Sequence, residues 1–236
     1  MIKFHRYESR FQAGKILGEF IKNSNQKIYN QISEDPEKSF CYAIPNGGVP
    51  ITDSFCSKFK IKYDILIVRK IKIPYNTEAG FGSITTDGTI LINESLLNQL
   101  SLSKKEVKDS IDLTKREIKG RLKFYNKERN LEDLYKKNIE NRYIFVLDDG
   151  LASGFTMLAA IKMIKKYNPK KIFIAVPTAP LTTIKRIMKE VDEIFCPNIR
   201  DAMWFAVADA YKNWYDVPEA EVIEILNKSQ FYISNL

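Results

Sequence analysis

Apolar residues along this chain gather into short, nearly continuous runs: Phe40 to Ile44, Asp64 to Arg69, Tyr143 to Leu147, Lys171 to Val176 and Glu193 to Cys196. Runs of this length, rich in β-branched and aromatic residues and without strict alternation, predict strands buried on both faces. Between or after them the spacing turns helical, over Val49 to Phe59, Thr156 to Tyr167 and Leu181 to Glu190. Strands and helices in this order predict an α/β fold, a parallel sheet flanked by helices, with ligands bound beyond the carboxyl ends of the strands.

A long excursion separates the second strand from the third. Lys70 to Gly82 is rich in loop formers, and Asp87-Gly88 between Ser83 to Thr85 and Ile90 to Ile92 predicts a hairpin. Leu96, Leu97, Leu100, Val107, Ile111, Leu113, Ile118 and Leu122 then form an imperfect helical stripe in a charged background. That stripe predicts a helical insertion packed on the core or on a second copy of the chain. After Pro197 the character changes again, with Trp204, Phe205, Tyr211, Trp214 and Tyr215 ahead of a final helix at Pro218 to Asn227. These aromatics either bury a small subdomain against the sheet or form a hood over a planar ligand.

The chain has 236 residues, 44% hydrophobic and 28% charged, which suits a globular protein; no apolar run reaches membrane length. A cytoplasmic location is expected, because His5, Arg6 and Glu8 interrupt the stretch a signal peptide would need. The formal charge of +8 suits anionic partners, but the lysines are interleaved with acids, notably over Lys104 to Lys137. That pattern reads as solvated helix faces rather than a nucleic-acid groove. The three cysteines, Cys41, Cys56 and Cys196, form no C-x-x-C, and neither a disulfide framework nor a zinc site is expected.

The chemistry is concentrated where strands end. The third strand runs into Asp148 and Asp149 and then Gly150, Leu151, Ala152, Ser153, Gly154, Phe155 and Thr156, which open a helix. Backbone N–H groups and hydroxyls of such a loop surround a phosphate at the positive end of the helix, and two ionised carboxylates accept hydrogen bonds from vicinal sugar hydroxyls. An ordinary strand-to-helix turn would explain the glycines and the Ser or Thr, but neither acid. A second loop, Pro45-Asn46-Gly47-Gly48, repeats the strand, tight turn, helix arrangement, and Arg69, Lys70 and Lys72 follow another strand. There is no G-x-x-x-x-G-K-[ST] and no G-x-G-x-x-G opening a helix, and the single histidine, His5, is placed poorly for a Ser-His-Asp hydrolase.

The segment Ile144 to Thr156 resembles the phosphoribosyl-pyrophosphate (PRPP) motif of type I phosphoribosyltransferases. The resemblance extends to phosphoribosyltransferase-domain proteins with a Phe-rich N-terminal helix, a Pro-x-Gly-Gly-Val-Pro loop and an Asp-Asp-Gly-Leu-Ala-Thr/Ser-Gly loop, here Phe4 to Gly18, Pro45 to Pro50 and Asp148 to Gly154. It implies one domain over residues 1–236, with a core at about 38–180, the insertion at about 93–140 and the hood at about 197–236. It implies a magnesium-dependent transfer of the 5-phosphoribosyl group from PRPP to a nucleobase, with Mg2+ carried mainly by PRPP and no direct protein ligand assigned. Asp148, Asp149 and Lys70 would be catalytic, and Gly150 to Thr156 would hold the 5′-phosphate.

In the same family Asn46, Gly47, Gly48, Arg69 and Lys70 match the pyrophosphate site, which often holds a cis peptide, and Ile71 to Ser83 matches a flexible catalytic loop with Gly80 and Gly82 as hinges. Two departures stand out: Asn46 replaces an arginine common among relatives, and Ala152 replaces the aspartate of 6-oxopurine enzymes. A base pocket is expected from Ala152, Trp204 and Phe205, with the acceptor base left open. A homodimer is expected, through the Leu96 to Leu122 segment or the surface near Lys70. A PRPP or nucleotide sensor without turnover is the competing reading.

Overall fold

A computed structural model of the chain describes residues 6–128, 130–202 and 204–233, apart from the side chains at 77 and 78. Phe4 and His5 therefore lie outside the described residues. In chain order the elements are α1 (Arg10–Ser24), α2 (Gln26–Glu34), β1 (Ser39–Ala43), α3 (Gly48–Phe59), β2 (Tyr63–Ile65), β3 (Val68–Ile73), β4 (Asn76–Thr85) and β5 (Ile90–Ile92). There follow α4 (Glu94–Gln99), α5 (Lys104–Phe124), α6 (Leu131–Ile139), β6 (Tyr143–Leu147), α7 (Phe155–Lys165), β7 (Lys171–Ala175), β8 (Thr178–Pro180), α8 (Leu181–Ile187), β9 (Glu193–Phe195), β10 (Asn198–Arg200) and α9 (Glu219–Lys228).

The central sheet is parallel, in the order β2-β1-β6-β7-β9. Successive side chains of a strand point to opposite faces, so each continuous apolar run feeds two cores. Cys41, Ala43, Phe145, Leu147, Phe173 and Ala175 face one core with α1 and α3, and Phe40, Tyr42, Ile144, Val146, Ile172 and Ile174 face the other with α7. Phe145 is fully buried and its ring meets Phe55, Phe173 and Phe195. Burial on both faces is why these strands show no polar alternation.

The run Asp64 to Arg69 is not one strand. β2 ends at Ile65, and at Ile67 both backbone groups turn to the Thr86 hydroxyl, which accepts from Ile67 N at 2.9 Å and donates to Ile67 O at 3.0 Å. From Val68 the chain enters a separate antiparallel sheet, β3-β4-β5, whose second turn carries Asp87-Gly88 as the sequence predicts, with Gly88 at φ 82°. Ile71 to Ser83 is thus mostly strand rather than loop. Gly80 and Gly82 lie within β4, where close packing itself requires glycine: a Cβ at Gly82 would meet the Leu91 carbonyl and the Ile71 side chain, and one at Gly80 the Ile71 carbonyl.

The predicted helical stripe lies on α4 and α5. Ile118 is buried, and Leu96, Leu97, Leu100, Val107, Ile111 and Leu122 pack on the core, whereas Leu113 is exposed. α5 starts with a capping box, Ser103 with Glu106, and lies along β3. α6 instead sends Tyr135 into the second core against Tyr42 and Tyr167.

Candidate active site

β6 delivers Asp148 and Asp149 to the carboxyl edge of the sheet, and the following loop closes on α7. Gly154, at φ 76°, needs glycine twice over, because a Cβ there would also strike Thr183 and Ile187. The amides at the start of α7 have no cap from a side chain and make no bond to the loop before them, so they remain available to an anion. Within Gly150 to Thr156 the Leu151 N–H is already donated to Thr178 O at 3.0 Å, and Leu151 contributes a buried side chain rather than a donor. Ala152 and Ser153 are exposed on the loop, and the carbonyls of both are tied back, to the Thr183 hydroxyl at 2.7 Å and Arg186 Nη1 at 2.9 Å. Arg186 thereby brings a cation to this loop that sequence reasoning missed.

The acid pair is held at its root. Asp149 N donates to Asp148 Oδ1 at 2.8 Å, and Asp149 Oδ2 accepts from Arg10 Nε at 2.8 Å. Burial raises the pKa of both carboxyls; the neighbouring Asp149 raises Asp148 further, while Arg10 opposes the rise at Asp149. Among the described residues the Asp149 N–H and Arg10 are the N–H donors to the two carboxyls, which also meet each other. Each carboxylate oxygen has two lone pairs, so both groups keep acceptor capacity for a ligand.

Arg10 itself is buried, donates from Nη1 to Tyr215 O at 2.9 Å, and has its Cζ 4.1 Å from the Trp214 ring centroid and 5.5 and 5.4 Å from those of Tyr211 and Tyr215. The Tyr211 hydroxyl donates to Asp149 O at 2.6 Å. Much of the C-terminal aromatic cluster is therefore a cage for Arg10. Trp204, by contrast, is 84% exposed and Phe205 half-buried, and neither is among the rings around Arg10; Ala152 is exposed.

The second loop packs directly on the acids. A Cβ on Gly47 would overlap Asp149 Oδ2, and one on Gly48 would crowd Leu147 O and Asp148 Cα. Only glycine allows this approach. The Pro45–Asn46 peptide is cis, as the resemblance implies. Gly48 N already donates to Ile44 O at 3.1 Å as α3 begins, so of the two glycines only Gly47 keeps an uncommitted N–H. Asn46 is held on both sides, donating from Nδ2 to Val217 O at 2.8 Å and accepting from Arg121 Nη1 at 3.3 Å.

On β3, neighbouring residues face opposite sides, so Arg69 and Lys70 diverge. Lys70 is exposed. A register shift after Ile71 brings Lys72 to the side of Arg69, and these two line a cleft with Arg121 that Lys70 does not enter. Arg10 and Arg121 were not singled out from sequence; their partners lie 139 and 75 positions away.

Residues 12–213 match the profile of the phosphoribosyl transferase domain. A Mycobacterium tuberculosis protein named "Putative phosphoribosyl transferase" is 28% identical over 191 residues, 79% of this chain and 41% of that protein. The uracil phosphoribosyltransferase of Ureaplasma parvum is 35% identical over 81 residues, 31% of this chain and 39% of that enzyme. The chain thus spans less than half the length of these relatives. Among solved structures, TT1426 from Thermus thermophilus superimposes with a TM-score of 0.67 at 20% identity, covering 94% of this chain and 97% of that one, a likeness of fold.

Proposed function

The chain belongs to the phosphoribosyl transferase domain family, and from that premise we propose that it transfers the 5-phosphoribosyl group of PRPP to a nitrogenous base, with release of pyrophosphate, in nucleobase salvage. The observation that carries this reading is the meeting of two loops at one sheet edge: the Asp148 and Asp149 carboxyls, with acceptor capacity to spare, beside the uncapped amides at the start of α7, with Gly47 packed against Asp149.

In this reading Asp148 Oδ2 and Asp149 Oδ1 accept hydrogen bonds from the ribose hydroxyls and place negative charge near the carbon where positive charge develops as pyrophosphate leaves. The α7 amides, with Ser153 and Thr156, hold the 5′-phosphate and fix the sugar. The Gly47 amide and the nearby cations receive the departing pyrophosphate, with Lys70 reaching it only from the outer face of β3. Trp204 and Ala152 offer the base an exposed planar face and a small neighbour. Magnesium fits the donor set, because carboxylate oxygens are hard ligands that share a cation with phosphate oxygens; when bound it would neutralise the pyrophosphate. No group of three His, Cys, Asp or Glu side chains among the described residues forms a metal cage of its own.

The test is pyrophosphate release from PRPP and magnesium against adenine, hypoxanthine, guanine, xanthine, uracil and orotate. Release that depends on one base names the acceptor. Saturable PRPP binding with no release from any base would leave a sensor, and failure to bind PRPP would end the proposal.

A further inference from the structure

Beside the second loop lies a cleft of about 480 Å3 lined by Arg69, Lys72, Glu117, Arg121, Phe124 and Glu219. Its charges are unevenly satisfied. Arg121 Nη1 meets Glu219 Oε1 at 2.6 Å and Asn46 Oδ1 at 3.3 Å. Arg69 is half-buried, yet beyond its place opposite Ile84 in the β3-β4 ladder its side chain makes no hydrogen bond or ion pair among the described residues. Burial lowers its pKa and the adjacent Arg121 lowers it further, while Glu117 and Glu219 oppose the fall, so that in the cleft three cations, Arg69, Lys72 and Arg121, share two carboxylates.

The Tyr125 hydroxyl is buried beside Arg121, which can only donate to it, and finds no acceptor among the described residues; the charges that act on it are those of Arg121, Glu219 and Arg69. A buried hydroxyl with no acceptor and an arginine with no direct ion pair of its own both suit the same partner, an anion with several oxygens. The position of the cleft narrows the choice. Asn46, in a second loop that has no cation of its own, is the residue Arg121 touches, and α5, which carries Arg121, comes from the helical insertion.

We propose that Arg121 supplies from the insertion the cation that the second loop lacks, that Arg69, Arg121 and Lys72 together take a diphosphate group, and that Glu219 occupies Arg121 until this anion displaces it. The inference rests on the phosphoribosyl-transfer reading and deepens it, since the anion is the leaving group of that reaction. Glu219, at the first position of α9, is then a built-in competitor: it keeps the arginine placed while the cleft is empty and must let go when diphosphate arrives.

The two roles predict effects of opposite sign, which a merely structural role would not. Binding of magnesium diphosphate and, separately, of ribose 5-phosphate is measured by calorimetry on the full chain and on Arg121→Ala, Arg121→Lys and Glu219→Gln. Loss of a charge-assisted hydrogen bond predicts that Arg121→Ala binds diphosphate about tenfold or more weakly, with ribose 5-phosphate unchanged and Arg121→Lys intermediate. Glu219→Gln is expected to bind diphosphate more tightly. Diphosphate binding unaltered in Arg121→Ala, or weakened in Glu219→Gln, overturns the inference. Should Arg121→Ala fail to fold, Glu219→Gln decides alone: a gain for diphosphate without a gain for ribose 5-phosphate is expected, and an equal gain for both, which loss of a nearby negative charge gives to any anion, overturns the inference. Ribose 5-phosphate bound without diphosphate defeats this inference and spares the wider proposal; neither bound defeats both.

Discussion

Two buried ion pairs, Asp64 with Lys127 and Asp149 with Arg10, join distant parts of the chain and are finished in different ways. Asp64 Oδ1 accepts from Lys127 Nζ at 2.6 Å and from Ile65 N at 2.7 Å, while Lys127 also donates to Ile233 O at 2.9 Å and lies 4.7 Å from the Tyr232 ring centroid. Both side chains are almost completely enclosed, and protein atoms occupy their surroundings. Asp149 has one oxygen on Arg10 and keeps further acceptor capacity, beside a glycine loop and an uncapped helix start. A buried charge surrounded by its own chain fixes structure, whereas one with a free acceptor at a sheet edge is prepared for a ligand.

The sharpest way to break this contrast is to remove one partner of the enclosed pair. Lys127→Met leaves Asp64 buried and uncompensated, and is expected to cost about 3–5 kcal/mol in urea unfolding while turnover of the folded fraction is kept. Adding Asp64→Leu should recover most of that loss. A double variant as unstable as the single would mean that the pair matters for more than its charge balance.

The next effect is on pH. Burial raises Asp64 from 3.8 to about 6 despite Lys127. A raised carboxyl binds its proton more tightly in the folded state, so its contribution to stability is fully present below about pH 4 and fades as pH rises through about 6. At ~1.4 kcal/mol per pKa unit this amounts to about 3 kcal/mol, to be read as the difference in unfolding free energy between wild type and Asp64→Asn across that window. A difference that is flat with pH would show that Asp64 titrates alike in both states.

At the open pair the readout moves from stability to chemistry. Asp149→Asn is expected to lower base-dependent pyrophosphate release about a hundredfold, with little change in the unfolding midpoint; equal losses in both would make Asp149 as structural as Asp64. The smallest effect belongs to Arg10→Lys, which keeps charge but loses the fork and the ring contacts, for about a tenfold loss of turnover. Because Arg10 opposes the rise in the Asp149 pKa, Arg10→Gln should move the acid limb of the pH–rate profile to higher pH. A limb that stays in place would break the link between the two groups.

How much of this was legible beforehand depended on distance along the chain. β6 reads directly from Tyr143 to Leu147, and the Asp-Asp-Gly loop follows from adjacent residues, as does the Asp87-Gly88 hairpin. The run from Asp64 to Arg69 misled because Leu66 and Ile67 are apolar and buried like strand residues, while the Thr86 hydroxyl that diverts the backbone lies 19 positions on. The glycines at 80 and 82 suggested hinges because glycine is permissive; only the neighbouring strands show that they serve close packing. The aromatic cluster near the C-terminus was visible as composition, but its guest, Arg10, was not.

By itself the sequence determined most strands of the central sheet with the helices between them, their two-faced burial and the position of both loops at the carboxyl edge, since period and turn chemistry act over a few residues. Tertiary structure alone decided which cation meets which anion. Arg10 finds Asp149 across 139 positions and Arg121 finds Asn46 across 75, and such pairings depend on how whole elements stack, which no local pattern encodes.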